Sequence, residues 1–165
     1  MIIAETERLI LRTLELEDID SLMDIWGDEE VMKYSGGAGT REREMSALQF
    51  YLKLQEEKGY SPYMVILKEN QEVIGVCGFN PPDEEYPELM YHFSIKNWGK
   101  GFATEASIAC IDYARKNLNA KKLAAFTDPL NKGSDNVLLK SGFSFKGMKW
   151  HGGSKKEEQY FEMTL

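Results

Sequence analysis

The chain has 165 residues, with 20 Lys and Arg against 27 Asp and Glu and a net charge of −7 at pH 7; that length fits one domain with a core of its own. Apolar residues at 42% and aromatic ones at 12% supply the core, and 28% charged residues without long blocks exclude a disordered chain. The acidic balance excludes nucleic-acid binding by phosphate neutralisation and docking on anionic lipid, and favours a cationic partner. Cys77 and Cys110 are far apart and outside any CxxC pairing, so neither a disulfide framework nor a thiolate metal site is expected. With only His92 and His151 besides, no metal is expected. The opening MIIAETERLI lacks a basic segment, apolar core and cleavage site, and no apolar run approaches membrane-spanning length, so a cytoplasmic protein is expected.

In chain order, RLILRTL (8–14) reads as a strand, and Asp18 is placed to cap a helix over 19–26 whose Ile19, Leu22, Met23 and Trp26 share a face. After the loop SGGAGT, Thr40 caps a longer helix over 41–58, with Met45, Leu48 and Leu52 inward, and Gly59 ends it. The period then changes: 63–68 and 72–80 form an antiparallel hairpin, and ELMYHFSI (88–95) a further strand. A helix runs from the glycine-rich NWGKGFATEA to about 117, and KLAAFT (122–127) is a short strand. SDNVLLKSG is a short helix closed by Gly142, and FSFKG and QYFEMTL are final strands around an exposed turn, HGGSKKEE. The helical crossover makes strands 88–95 and 122–127 parallel, so the sheet is mixed, in an α/β or α+β protein.

The turn Trp98-Gly99-Lys100-Gly101-Phe102-Ala103-Thr104-Glu105 carries the most chemistry. Glycines at a strand-to-helix turn let main-chain N–H groups converge where the helix dipole is positive, which suits a diphosphate. Lys100 is placed to add a charge or to point into solvent. No GxxxxGK[ST] string occurs, and the dinucleotide pattern fails because Thr104 stands where its third glycine belongs. A tight turn without a ligand remains open on this stretch alone.

The later string NKGSDNVLLKSGF (131–143) decides the matter. Together the two motifs resemble the GNAT superfamily of N-acetyltransferases, and specifically its RimJ/RimL-like branch of ribosomal-protein N-terminal acetyltransferases. The family pattern [QR]-x-x-G-x-[GA] is here Trp98-Gly99-Lys100-Gly101-Phe102-Ala103, with the tryptophan of that branch, and the later string is similar to N-x-x-S-x-x-V-L-x-K-x-G-F. The segments ETERLILRTLELEDIDSL and WGDEEVMKYSGG also resemble the branch, so the likeness runs from Glu5 to Leu165.

The resemblance implies a single GNAT domain: a mixed, mostly antiparallel sheet of about seven strands with about four helices, splayed between the fourth and fifth strands, 88–95 and 122–127. It implies acetyl-CoA as co-substrate, with its pantetheine arm against main-chain groups of Phe93, Ser94 and Ile95. The pyrophosphate would lie on amides around Lys100, Gly101, Phe102, Ala103 and Thr104, with Asn131 and Ser134 on the far side. Asn131 reads equally as a helix cap. A tyrosine donor common in relatives is here Leu138, so Ser134 is the expected proton donor to the departing sulfur. Glu88 is the expected base, and His92, on the same strand face, a second candidate with an ordinary value near 6.5. Glu105 is explained by its place in a first helical turn. The implied partner is an amine, on a protein N-terminus or a small molecule, acting on a monomer or homodimer; a non-catalytic acyl-CoA sensor of the same fold is the alternative.

Overall fold

The computed structural model describes all 165 residues. Eight strands form one sheet in the order β1-β2-β3-β4-β5-β6-β8-β7. They are β1 (Ile2–Glu5), β2 (Leu9–Thr13), β3 (Pro62–Leu67), β4 (Val73–Asn80), β5 (Glu88–Phe93), β6 (Lys122–Thr127), β7 (Ser144–His151) and β8 (Lys156–Thr164). The helices are α1 (Ile19–Trp26), α2 (Arg41–Lys58), α3 (Phe102–Asn117) and α4 (Lys132–Ser141). All strand pairs are antiparallel except β5 with β6, which run parallel and meet at the single register pair Glu88 and Ala124. The sheet therefore opens beyond that point. It has one strand more than expected, because β1 adds to the edge through Ile2–Glu5. No helix is long and apolar enough to cross a membrane.

Two apolar layers cover the sheet. On one side Leu22, Ile25 and Trp26 of α1 and Leu48 of α2 pack on Met64 and Val76. On the other, Phe102, Ala106, Cys110 and Ala114 of α3 and Leu138 of α4 pack on Cys77, Phe79, Leu89, Leu123 and Phe161. Thr40 accepts the N–H of Arg43 at 3.2 Å and caps α2, while Gly59 and Gly142 close α2 and α4 in the left-handed region. Asp18 behaves otherwise than expected. Its carboxylate makes no cap bond to α1 and instead takes both prongs of Arg12, at 2.9 and 2.8 Å, and the N–H of Glu15. The two cysteines, distant in sequence, bring their sulfurs to 3.7 Å in the core as free thiols.

The last hairpin also differs. Pairing continues from Ser144 to His151 and back from Lys156, so the turn is confined to 152–155 and HGGSKKEE is not an exposed loop throughout. Charged residues hide the strand alternation there, since those on one face point at polar neighbours rather than at a core.

Candidate active site

The glycine turn opens α3. Gly99 and Gly101 have φ of +73° and +80°, a conformation costly for any residue with a side chain. No side chain caps this helix, whereas Thr40 caps α2 and Asn131 caps α4. The first-turn amides of Phe102, Ala103 and Thr104 therefore have no side-chain acceptor and face the dipole's positive end. Lys100 is exposed, and its carbonyl accepts from Arg8 at 2.9 Å. Phe102 is buried beneath the Arg8 guanidinium, 4.3 Å from its ring centre. Glu105 does not cap the helix. Its carboxylate takes the Thr6 hydroxyl at 2.5 Å and the Arg8 side chain at 2.7 Å, locking the β1–β2 turn against the glycine turn. Burial opposes its ionisation, but these donors outweigh it and hold the group below the ordinary range.

At the end of β5, Ser94 N–H donates to Ile74 at 3.0 Å. By the two-residue alternation of an antiparallel pair, even-numbered residues of β5 bond to β4 and the odd ones, Tyr91 and Phe93, turn their main chain toward the gap. Pro87 fits that rule, because its carbonyl accepts from Ala124. The Phe93 carbonyl takes the Trp98 indole N–H at 2.7 Å. Ser94 and Ile95 are placed differently from the expectation: the Ser94 amide is used in the sheet, and their carbonyls accept from Asn97 and Trp98 within a short 3-10 turn.

Side chains alternate across the same strand. On the α1/α2 face, Glu88 is buried at 9% exposure and its Oε2 lies 3.0 Å from Nε2 of His151 on β7. Beyond α1 and α2 this face has no helix over it. Asp83, Glu84, Glu85, Tyr86, Phe126 and Glu162 line a cleft there, and Glu84 and Glu162 pair with Lys149 and Lys122. His92, half-buried further along the strand, has its Nδ1 accepting the Trp26 indole N–H at 3.2 Å. Burial lowers its value to about 4, well below the expected 6.5, so the ring is a weak base at neutral pH. His151 moves the other way, raised by its bond to Glu88 against the effect of burial, with the charges of Glu88, Glu158 and Asp83 adding.

On the α3/α4 face Tyr91 meets Ser134. The phenol lies 2.9 Å from the Ser134 carbonyl oxygen and 2.8 Å from its hydroxyl. Burial raises the Tyr91 phenol above its ordinary value, partly countered by the Ser134 bond. Asn131 spends its side-chain oxygen on the Ser134 N–H at 3.3 Å, a capping role. Thr127, Asp135 and Gln159 form a hydrogen-bonded group beside them. Leu138, at the position where the family resemblance implies a tyrosine, is 1% exposed and belongs to the core.

The structure thus brings Glu88 and Ser134 to opposite faces of one opening, with Phe93 on its edge and residues 99–105 at its end. Two residues that touch these groups, Tyr91 and His151, escaped the sequence reading. Tyr91 was detectable from alternation, one residue out of phase with Glu88 and His92; His151 had no such signal, because its partner is 63 residues away.

A family model described as an acetyltransferase (GNAT) domain matches residues 8–144. The uncharacterised N-acetyltransferase p20 of Bacillus licheniformis is 39% identical over 149 residues, 87% of this chain and 83% of its own length. A GNAT-family acetyltransferase from Bacillus anthracis superposes with a TM-score of 0.83 at 26% identity, covering 99% of this chain and 98% of that one. RimL, a ribosomal L7/L12 α-N-protein acetyltransferase solved with coenzyme A, shares the fold at a TM-score of 0.83 and 16% identity, over 100% of this chain and 98% of that one. The splayed mixed sheet, the uncapped glycine turn and these likenesses lead to one conclusion: the chain belongs to the GNAT acetyltransferase family and is an enzyme of acetyl transfer to amines.

Proposed function

We propose that the protein transfers an acetyl group from acetyl-CoA directly to a primary amine, with the two substrates meeting through the opening between β5 and β6. The observation that carries this reading is the divergence of those strands beyond Glu88 and Ala124, which leaves an acidic face and a helix-covered face joined by one gap. The uncapped start of α3 fits a pyrophosphate, and the main-chain edge of Tyr91 and Phe93 fits an extended amide-bearing arm. When bound, acetyl-CoA supplies a thioester carbonyl whose C–S bond breaks as the amine's C–N bond forms, giving the amide and the CoA thiol.

The chain's part is proton management. Glu88 takes the proton that the amine must lose. Ser134 directs its O–H at the sulfur as a hydrogen-bond donor without ionising, the departing thiolate taking its proton from solvent, and Tyr91 stands behind it with one hydrogen and two acceptors on the same serine. When the phenol donates to the serine hydroxyl instead of to its carbonyl, the serine hydrogen is released for the leaving group.

The acceptor we favour is a primary α-amine, on a protein N-terminus or a small molecule. At pH 7 about a tenth of an α-amine but under about a thousandth of a lysine side chain is neutral. A single carboxylate base therefore serves the α-amine better. The acidic cleft and the net charge of −7 draw in a cationic acceptor. The W-G-K-G-F-A turn and the N-x-x-S spacing support a place in the RimJ/RimL-like branch. The test is a peptide with a free N-terminus and one internal lysine, incubated with acetyl-CoA at pH 7 and mapped by mass spectrometry. Acetylation at the α-amine with matching thiol release is expected; acetylation mainly at lysine overturns the choice of acceptor.

A further inference from the structure

His151 and Glu88 come from β7 and β5, which have both β6 and β8 between them in the sheet, and their bond bridges that distance beside the point where the sheet opens. The imidazole leans on Phe126 of β6, ring centres 4.4 Å apart. Nδ1 accepts the main-chain N–H of Ser154 at 3.0 Å. A ring nitrogen that accepts from an amide carries no hydrogen, so the neutral ring is fixed with its hydrogen on Nε2, directed at Glu88 Oε2. Glu88 Oε1 makes no bond within the protein.

The charges around the ring come from every neighbouring element. Glu88 lies on β5, Glu158 on β8 with Oε2 at 3.6 Å from Nδ1, and Asp83 on the loop between β4 and β5, where it accepts the Gly152 N–H at 3.0 Å. Lys156 stands one step further out, between Glu158 and Asp128. Three carboxylates thus face one imidazole, and a proton arriving at Nδ1 has Glu158 waiting for it.

We propose that His151 is a positioning residue that sets when Glu88 can act: its Nε2–H holds one carboxylate oxygen and leaves the other for the acceptor's proton, and protonation at Nδ1 switches the base off. The proposal rests on the reading of Glu88 as the base. In the neutral state Glu88 Oε1 takes the amine proton while Oε2 stays engaged. In acid, Nδ1 gains a proton and turns from Ser154 to Glu158. The imidazolium then draws on the Glu88 charge and makes that carboxylate a poorer base. The hydrogen bond to Glu88 raises His151 above its ordinary value against the effect of burial, and the charges of Glu88, Glu158 and Asp83 add to it.

The chain has two histidines, which makes the test direct. Proton NMR of the ring Cε1–H signals should show one histidine titrating above 6.5 and the other near 4, and Glu88→Gln should move only the first downward. In parallel, kcat is followed from pH 5.5 to 9 at saturating acetyl-CoA and saturating peptide bearing a single N-terminal amine, so that acceptor ionisation is common to all variants. His151→Gln keeps a hydrogen for Glu88 but cannot titrate. It should move the acid limb down by about one pH unit or more, with kcat at pH 8.5 within about tenfold of wild type. His151→Ala should lose more at every pH. An acid limb unchanged in His151→Gln, with Glu88→Gln strongly impaired, overturns the role of His151 alone. Wild-type turnover in Glu88→Gln overturns the base assignment and this inference with it.

Discussion

The two sides of the gap are built on different principles. The α3/α4 side is assembled from contiguous motifs: residues 98–105 and 131–134 each bring their groups together within a single turn and helix start. It is covered by helices, and its polar groups are main-chain amides, the Tyr91 and Ser134 hydroxyls and the hydrogen-bonded group of Thr127, Asp135 and Gln159. The α1/α2 side beyond those helices is open and acidic, and its members come from β5, β7, β8 and the loop before β5. A co-substrate of fixed structure can be held by a local motif. An acceptor must be admitted by a surface, and surfaces are built from strands far apart in sequence.

The division of labour is broken most severely at Glu88. Glu88→Gln should lower kcat by roughly 10² to 10³ at pH 7.5 and leave the Kd for acetyl-CoA unchanged, because the lost group acts on the acceptor side. Gly101→Asp is the reverse case: titration calorimetry should show acetyl-CoA binding weakened at least about tenfold, near 1.4 kcal/mol. Gly101→Ala is its control, carrying only the strain of a side chain at positive φ, about 1–2 kcal/mol of stability, with no added charge. Equal affinity losses in both would assign the effect to backbone strain instead of the pyrophosphate.

Ser134→Ala and Tyr91→Phe should each slow turnover by roughly three- to tenfold, a modest effect because a thiol is already a good leaving group. The double variant should be scarcely slower than either single one, since the two hydroxyls share one bond. A multiplied loss would separate their roles. The smallest effect is on stability. His151 is raised in the folded state, so its contribution is full below about 6.5 and is lost as pH rises through the folded value. The Tm difference between wild type and His151→Gln should therefore be larger at pH 6 than at pH 9 by thermal denaturation.

The same contrast explains what could be read from the chain. The strand 122–127 and the helix 41–58 follow from local signals, apolar runs closed by Thr40 and Gly59, and both fall where expected. The glycine turn and the capped start of α4 are also local. Glu88 was legible as a strand-head carboxylate, but its imidazole partner was not, because the charged run KKEE masks a strand whose Glu158 is buried at 6% exposure. His92 was legible as a strand residue on the right face, yet its enclosure under Trp26 depends on α1, 66 residues away. Glu105 likewise shows a local helix-start signal while its real partners, Thr6 and Arg8, are 99 and 97 residues off.

The central claim, that co-substrate and acceptor occupy opposite faces of one gap, is tested most directly by amide hydrogen exchange with and without saturating acetyl-CoA. Slowed exchange is predicted at the amides of 101–105 and 131–134 and along the edge of Tyr91 and Phe93, with the amides of 152–158 on the acidic side unchanged. Protection confined to the acidic hairpin, or none at 101–105, would contradict it.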